Sequence, residues 1–209
     1  MSKIKKRVYR SEARAEMAAL TKKRVLSAAK RLFRSKGFED VTIEQLADAA
    51  DVSASTIFSV FKSKRGVLRV LMDEALPPDQ FASLVNQAMQ QKSAEEHLKI
   101  SARIARQIYD AEKSLMDIFR GASVLAPELK LLEKERELRR YQRQEETIKM
   151  IAESKSLAKA LTISQARDIL WALTGRDMYR MFVIDRGWSS DQYESWLAEL
   201  LISTLLKGV

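Results

Sequence analysis

The 209-residue chain has no cysteine and a single histidine, His97. Without thiols there is no disulfide framework, no thiolate zinc site and no thiol nucleophile, and one imidazole cannot build a histidine metal cluster. Enzyme readings thereby lose most of their usual chemistry, so no catalytic residue, metal ligand or cofactor is expected. Glycine and proline are scarce, at six and three residues, and strand-like alternating Val/Ile/Thr runs are nearly absent. With 46% hydrophobic residues, that balance favours an all-helical protein with a real core. Long apolar runs are missing as well. The stretch "LLISTLL" is far too short to span a bilayer, and the basic start "MSKIKKRVYRSEARAE" is not followed by the apolar segment of a signal peptide. A cytoplasmic protein with no membrane partner is expected.

What is present is positive charge, unevenly placed. Residues 1–76 hold 17 Lys and Arg against 9 Asp and Glu, a net of +8, whereas residues 77–209 hold 20 against 19, a net of +1. A basic first third attached to a nearly neutral body points to a polyanion-binding module, with nucleic acid the commonest partner.

Residues 1–20 are basic and weakly periodic, and read as a flexible arm. From Thr21 the apolar residues Val25, Ala28, Ala29, Leu32 and Phe33 fall on one helical face, and Gly37 stands where a left-handed C-cap is wanted. Thr42 opens a short second helix, with Gln45 as its capping-box partner and Ile43, Leu46, Ala47 and Ala50 as its stripe. Three residues later a third short helix runs to Phe61. Two short helices joined by so tight a turn suit a helix-turn-helix. "PP" at Pro77 and Pro78 stops a fourth helix, and the boundary is expected there: 1–20 arm, 21–76 DNA-binding domain, 77–209 helical body.

The stretch "VSASTIFSVFKSK", Val52 to Lys64, carries four serines, two phenylalanines and two lysines with no carboxylate and no glycine. Ile57 and Phe61, four apart, can face the first helix, which leaves Ala54, Ser55, Phe58, Ser59 and Lys62 on the opposite side. Small and hydroxylated side chains there let a helix enter a major groove without clash or like-charge repulsion. Ser63 is placed to cap the fourth helix, with Lys64 and Arg65 in its first turn. Cations there oppose the helix dipole, and a phosphate held by the same N-terminus offsets them.

The span Val25–Met72 resembles the DNA-binding domain of the TetR/AcrR family of bacterial transcriptional regulators. The residues that carry the resemblance are Ala28-Ala29, Leu32-Phe33, Gly37, Thr42, the turn Ala47 to Ser53, Thr56-Ile57-Phe58-Ser59-Val60-Phe61, and Ser63-Lys64 through Leu68. It implies DNA contacts from Thr42, Ser53, Ala54, Ser55, Thr56, Phe58, Ser59, Val60, Lys62, Lys64 and Arg65. The departures are specific. Asp51 stands where the family has glycine, Phe58 where it has tyrosine, Val60 where it has histidine, and Arg65 where it has an acid.

Residues 79–209 resemble, more loosely, the family's helical effector-binding and dimerisation domain. Ser93 with Glu96 reads as a capping box, Leu115 to Phe119 as a short helix, and Pro127 as the opening of a long helix with Leu131, Leu138, Tyr141 and Ile148 near one face. The mixed charges of that helix read as a solvated face, and His97 as a surface residue. Two terminal apolar helices, the second capped by Ser189 and Gln192, imply a homodimer built through them. Tyr109, Phe119, Tyr141, Trp171 and Tyr179 are the candidates for contact with an unknown small-molecule effector. The favoured function is a ligand-responsive repressor binding a palindromic DNA operator. An all-helical enzyme, or a basic peripheral membrane or scaffold protein, is the alternative.

Overall fold

The computed structural model describes residues 2–91, 93–113, 116 and 127–207, with 2–13, 78 and 127–129 described by backbone alone. Among them the regular structure is all-α, with one isolated antiparallel bridge between Leu157 and Leu206. The helices are α1 (Ser2–Lys36), α2 (Ile43–Ala50), α3 (Ala54–Phe61), α4 (Lys64–Asp73), α5 (Pro78–Gln90), α6 (Ala94–Glu112), α7 (Pro127–Glu153), α8 (Ile163–Leu173), α9 (Arg176–Tyr179) and α10 (Ser190–Leu205). A π-helical stretch, Arg180–Asp185, continues α9. The chain forms two compact units, the first built around residues up to Glu74, the second around Ala75–Lys113 and the chain from Leu131 onward.

In the first unit α1 packs on α2 and α4, and α3 on both of these. Val25, Ala28, Ala29 and Phe33 recur at steps of three and four, which puts them on one side of α1, and all are buried. Gly37 then takes φ +85 and donates its N–H to Phe33 O, the left-handed stop that a side chain would strain. The helix reaches back to Ser2, so the expected arm before Thr21 is continuous with it. The segment "SEARAEMAAL" is rich in Ala, Glu, Arg and Leu, the residues that lose least on entering a helix.

The second unit centres on α6 against α10, with α5 on α6 and α8 on α10. Leu98, Ala102, Ala105 and Tyr109 of α6 are buried, as are Tyr193, Leu197, Leu201 and Leu205 of α10. Thr162 with Gln165, and Ser189 with Gln192, form reciprocal capping boxes at α8 and α10. Ser93 begins α6 without one, because Glu96 pairs with Lys99 instead. His97, expected at the surface, is 5% exposed, since it faces inward with Ala94 and Leu98 while Glu95 of the same turn stays exposed. The apolar run near residue 174 is not one helix. It breaks at Thr174 and Gly175 between α8 and α9.

The inner face of α7 differs most from the expectation. Leu131 and Leu138 are 49% and 55% exposed, and the inward line is Leu132, Arg136, Arg140, Gln144, Ile148 and Ile151, spaced by four and then three. Two of its arginines are therefore half-buried rather than fully solvated, because carboxylates and carbonyls of other helices wait for them. Glu112, 2% exposed, takes hydrogen bonds from both Arg136 and Arg176, and Arg176 also reaches Glu133 at 3.1 Å. The short helix expected over Leu115 to Phe119 lies outside the described residues apart from Met116.

Candidate functional site

The turn between α2 and α3 is closed by local chemistry. Asp51 takes φ 51 in the left-handed region and caps α2, and Val52 donates its N–H to Ala47 O at 3.0 Å. Arg24 of α1 holds that turn from outside, donating to Asp51 O at 2.6 Å and to Asp51 Oδ2 at 2.7 Å. Ser53 Oγ caps α3 by accepting from Thr56 N, and lies 2.8 Å from the hydroxyls of both Ser55 and Thr56. Thr42 is likewise engaged in the capping box of α2.

α3 is sharply two-faced. Ile57 and Phe61 are buried against the domain, while Ser55, Phe58, Ser59, Val60 and Lys62 are exposed. Ala54 and Thr56 are half-buried at the edge. Phe58 and Val60 are 49% and 45% exposed, so neither serves the core. The helix thus presents an outward surface of hydroxyls, one aromatic ring, one valine and one ammonium, with no carboxylate of its own.

Beyond Phe61 the chain turns through Lys62, at φ 68, into α4, whose N-cap Ser63 accepts from Gly66 N at 3.0 Å. Gly66 is required by proximity. A Cβ there would lie 1.7 Å from Phe61 O. Lys64 points back across the domain, with Nζ donating to Phe38 O at 2.8 Å and Glu39 O at 3.0 Å, and 4.5 Å from the centre of the Phe38 ring. Two of its three protons are thus engaged within the domain, which makes it a tie between α4 and the turn after α1. Arg65 stands beside it, half-buried.

Within the second unit a cavity of about 310 Å³ opens between α5, α6 and α7. Phe81, Val85, Ile104, Ile108 and Met150 supply apolar walls, and Tyr109, Arg140, Gln144 and Thr174 add polar groups. Tyr109 donates to Thr174 O at 3.1 Å, and its burial pushes the phenol up to about 12. Of the aromatic candidates among the described residues, only Tyr109 lines this cavity. Tyr141 donates to Asp168 and stands edge-on to Trp171, Tyr179 is buried against the Asp110 carboxylate, and Phe119 lies outside the described residues. Arg140, Gln144 and Thr174 escaped the sequence reading. Their one signal was the four-residue step from Arg136 through Ile148.

The first unit is a helix-turn-helix with a solvent-facing second helix, and the second is an all-helical body with its own cavity. Residues 25–71 match the family described as bacterial regulatory proteins, tetR family. The uncharacterised HTH-type transcriptional regulator YvkB of Bacillus subtilis is 41% identical over 54 residues, 26% of this chain and 29% of that protein. The HTH-type transcriptional regulator RutR of Escherichia coli is 29% identical over 126 residues, 56% of each. The chain therefore spans well under two thirds of the length of these curated relatives. In fold it is similar to NalD, the secondary repressor of the MexAB-OprM multidrug efflux pump in Pseudomonas aeruginosa, with a TM-score of 0.73 at 19% identity over 92% of this chain and all of that one. The match to the TetR family thus lies in residues 25–71, the helix-turn-helix unit.

Proposed function

We propose that the protein is a ligand-responsive transcriptional repressor that binds a palindromic DNA operator as a homodimer. The observation that carries this reading is the outward face of α3, where Ser55, Phe58, Ser59, Val60 and Lys62 are exposed and no acid stands among them. Each copy lays α3 in a major groove, where Ser59 hydrogen-bonds a base edge and Phe58 and Val60 meet thymine methyls. Ser53, Ala54, Ser55 and Thr56 set the entry of that helix, and Thr42, Lys64 and Arg65 border it toward the phosphates. The first unit's net positive charge adds the sequence-independent part of the affinity.

Dimerisation through α8 to α10 fits the apolar groups left uncovered there, Ile163, Trp171 and Met181. A dimer reads two half-sites about 34 Å apart, and an effector in the helical body changes that spacing. The test is footprinting on the DNA upstream of the protein's own gene, followed by replacement of protected thymines with deoxyuridine. Loss of the methyl opposite Phe58 is expected to weaken binding by about 1 kcal/mol. Protection without symmetry, or affinity indifferent to every thymine methyl, would overturn the assignment of α3.

A further inference from the structure

The first helix starts well ahead of the face that it buries. Its described buried residues begin at Val25, and every residue from Arg14 to Leu20 is exposed. Residues 2–20 thus add about 28 Å of helix before that face, at about 1.5 Å per residue. The segment holds six Lys and Arg against two Glu, and their order is not that of an ordinary solvated helix.

Lys3, Lys6, Arg7, Arg10 and Arg14 follow one another at steps of three and four, so these positions fall on one face of α1, while Lys5, Glu12 and Glu16 fall on the other. No acid stands three or four residues from any of the six cations. In α7 the charges are arranged the other way, with Lys149 paired to Glu145 and Arg140 to Glu137, so that helix carries its own counter-charges. Like charges four residues apart, as at Lys3 and Arg7, Lys6 and Arg10, and Arg10 and Arg14, weaken a free helix, and cations near its start oppose the dipole. The stripe therefore fits an external row of negative charge.

Its direction is set by Arg24. Lys6 stands about five turns before Arg24, and Lys3 and Arg10 stand three and two heptads before it, so all share its side of α1 within about 60°. Arg24 donates to Asp51 at the turn that leads into Ser53, the N-cap of α3. Lys22, on the other flank of the buried face, pairs with Glu74 at the end of α4. The cationic face thus runs out on the side of the N-terminal end of α3, the end by which a recognition helix reaches base edges.

We propose that this face of α1 lies along the sugar-phosphate backbone outside each half-site. It lengthens the DNA held by one protomer by about five base pairs, the reach of about 16 Å from Lys3 to Arg14. The inference rests on the reading of α3 as the helix that reads the operator. Phosphates repeat along the duplex and match a row of cations without regard to sequence. A lipid surface fits less well, because residues 2–16 hold only Ile4, Val8 and Tyr9 as large apolar groups, too few for the buried face of an interfacial helix.

Two duplexes carrying the footprinted operator test this, one ending at the outer edges of the half-sites and one longer by about ten base pairs, about one helical turn, on each side. The full chain is expected to bind the long duplex about tenfold more tightly than the short one in about 0.1 M salt. Lys6→Gln with Arg10→Gln is expected to remove that gain and leave affinity for the short duplex unchanged. Helical circular dichroism should hold, because these substitutions relieve like-charge contacts. Lys5→Gln, the same kind of change on the other face, is expected to retain the gain. Equal affinity of the parent for both lengths, or an equal loss from Lys5→Gln and Arg10→Gln, would overturn the proposal, as would stripe-dependent attachment to phosphatidylglycerol vesicles with no effect of DNA length. Selectivity for the operator over a scrambled duplex keeps the two readings apart. When it is kept and length does nothing, only the stripe falls; when no duplex is preferred, the reading of α3 falls with it.

Discussion

Tyr109 and Tyr193 carry the same hydroxyl into one core with different fates. Tyr109 donates to Thr174 O, whereas the Tyr193 hydroxyl, on a fully buried side chain, has no partner. Both rings pack on Tyr179, with centroids 5.7 and 5.4 Å away. The two conservative truncations to phenylalanine should therefore diverge. Tyr109→Phe removes a buried hydrogen bond and strands a carbonyl, for a loss of about 1–2 kcal/mol, while Tyr193→Phe removes only an unsatisfied group and should be neutral or slightly stabilising. Urea denaturation of the two variants measures the difference. Equal losses would mean that the Tyr193 hydroxyl has found a partner.

At the level of the helices, the tie from Lys64 to Phe38 and Glu39 makes a stability prediction independent of DNA. Lys64→Met keeps most of the aliphatic stem but loses two charge-assisted bonds and the contact over the Phe38 ring. It is expected to cost about 1 kcal/mol in denaturant titrations of the free protein, the modest end for a half-exposed cation. A variant as stable as the parent would show that the ammonium is not held there. Helix ends of this kind were largely legible in the sequence, since Thr42 with Gln45, Ser189 with Gln192, and Gly37 act on neighbours three or four residues away. The Ser93 box failed for a local reason too, a competing lysine three residues beyond Glu96. What could not be read was the inner face of α7, where the partners of Arg136, Arg140 and Gln144 are Glu112 and Thr174, distant in sequence and visible only after packing. The exposed pair Phe58 and Val60 lay between these cases. The four-residue step from Ile57 to Phe61 gave the inner side of α3, but only the packed domain shows that nothing covers the outer one.

For the molecule as a whole, the buried phenols set a limit at high pH. Burial raises Tyr109 to about 12 and pushes Tyr179 and Tyr193 upward as well, with the hydrogen bond to Asp110 adding to the shift of Tyr179. The unfolded chain ionises its tyrosines near a pKa of about 10. The folded state therefore holds more protons above that pH, and its stability, complete below about 10, falls as pH rises toward 12 and beyond. An alkaline titration should show these three tyrosines ionising together with the loss of helical circular dichroism. Ionisation of all five tyrosines near pH 10 with helicity intact would contradict that burial.

Gly66 has a mechanical consequence. Its backbone stands so close to Phe61 O that not even a methyl group fits between the end of α3 and the start of α4. Any side chain at this position would have to push the end of α3 away from the start of α4, so the angle between the two helices depends on the bare backbone at residue 66.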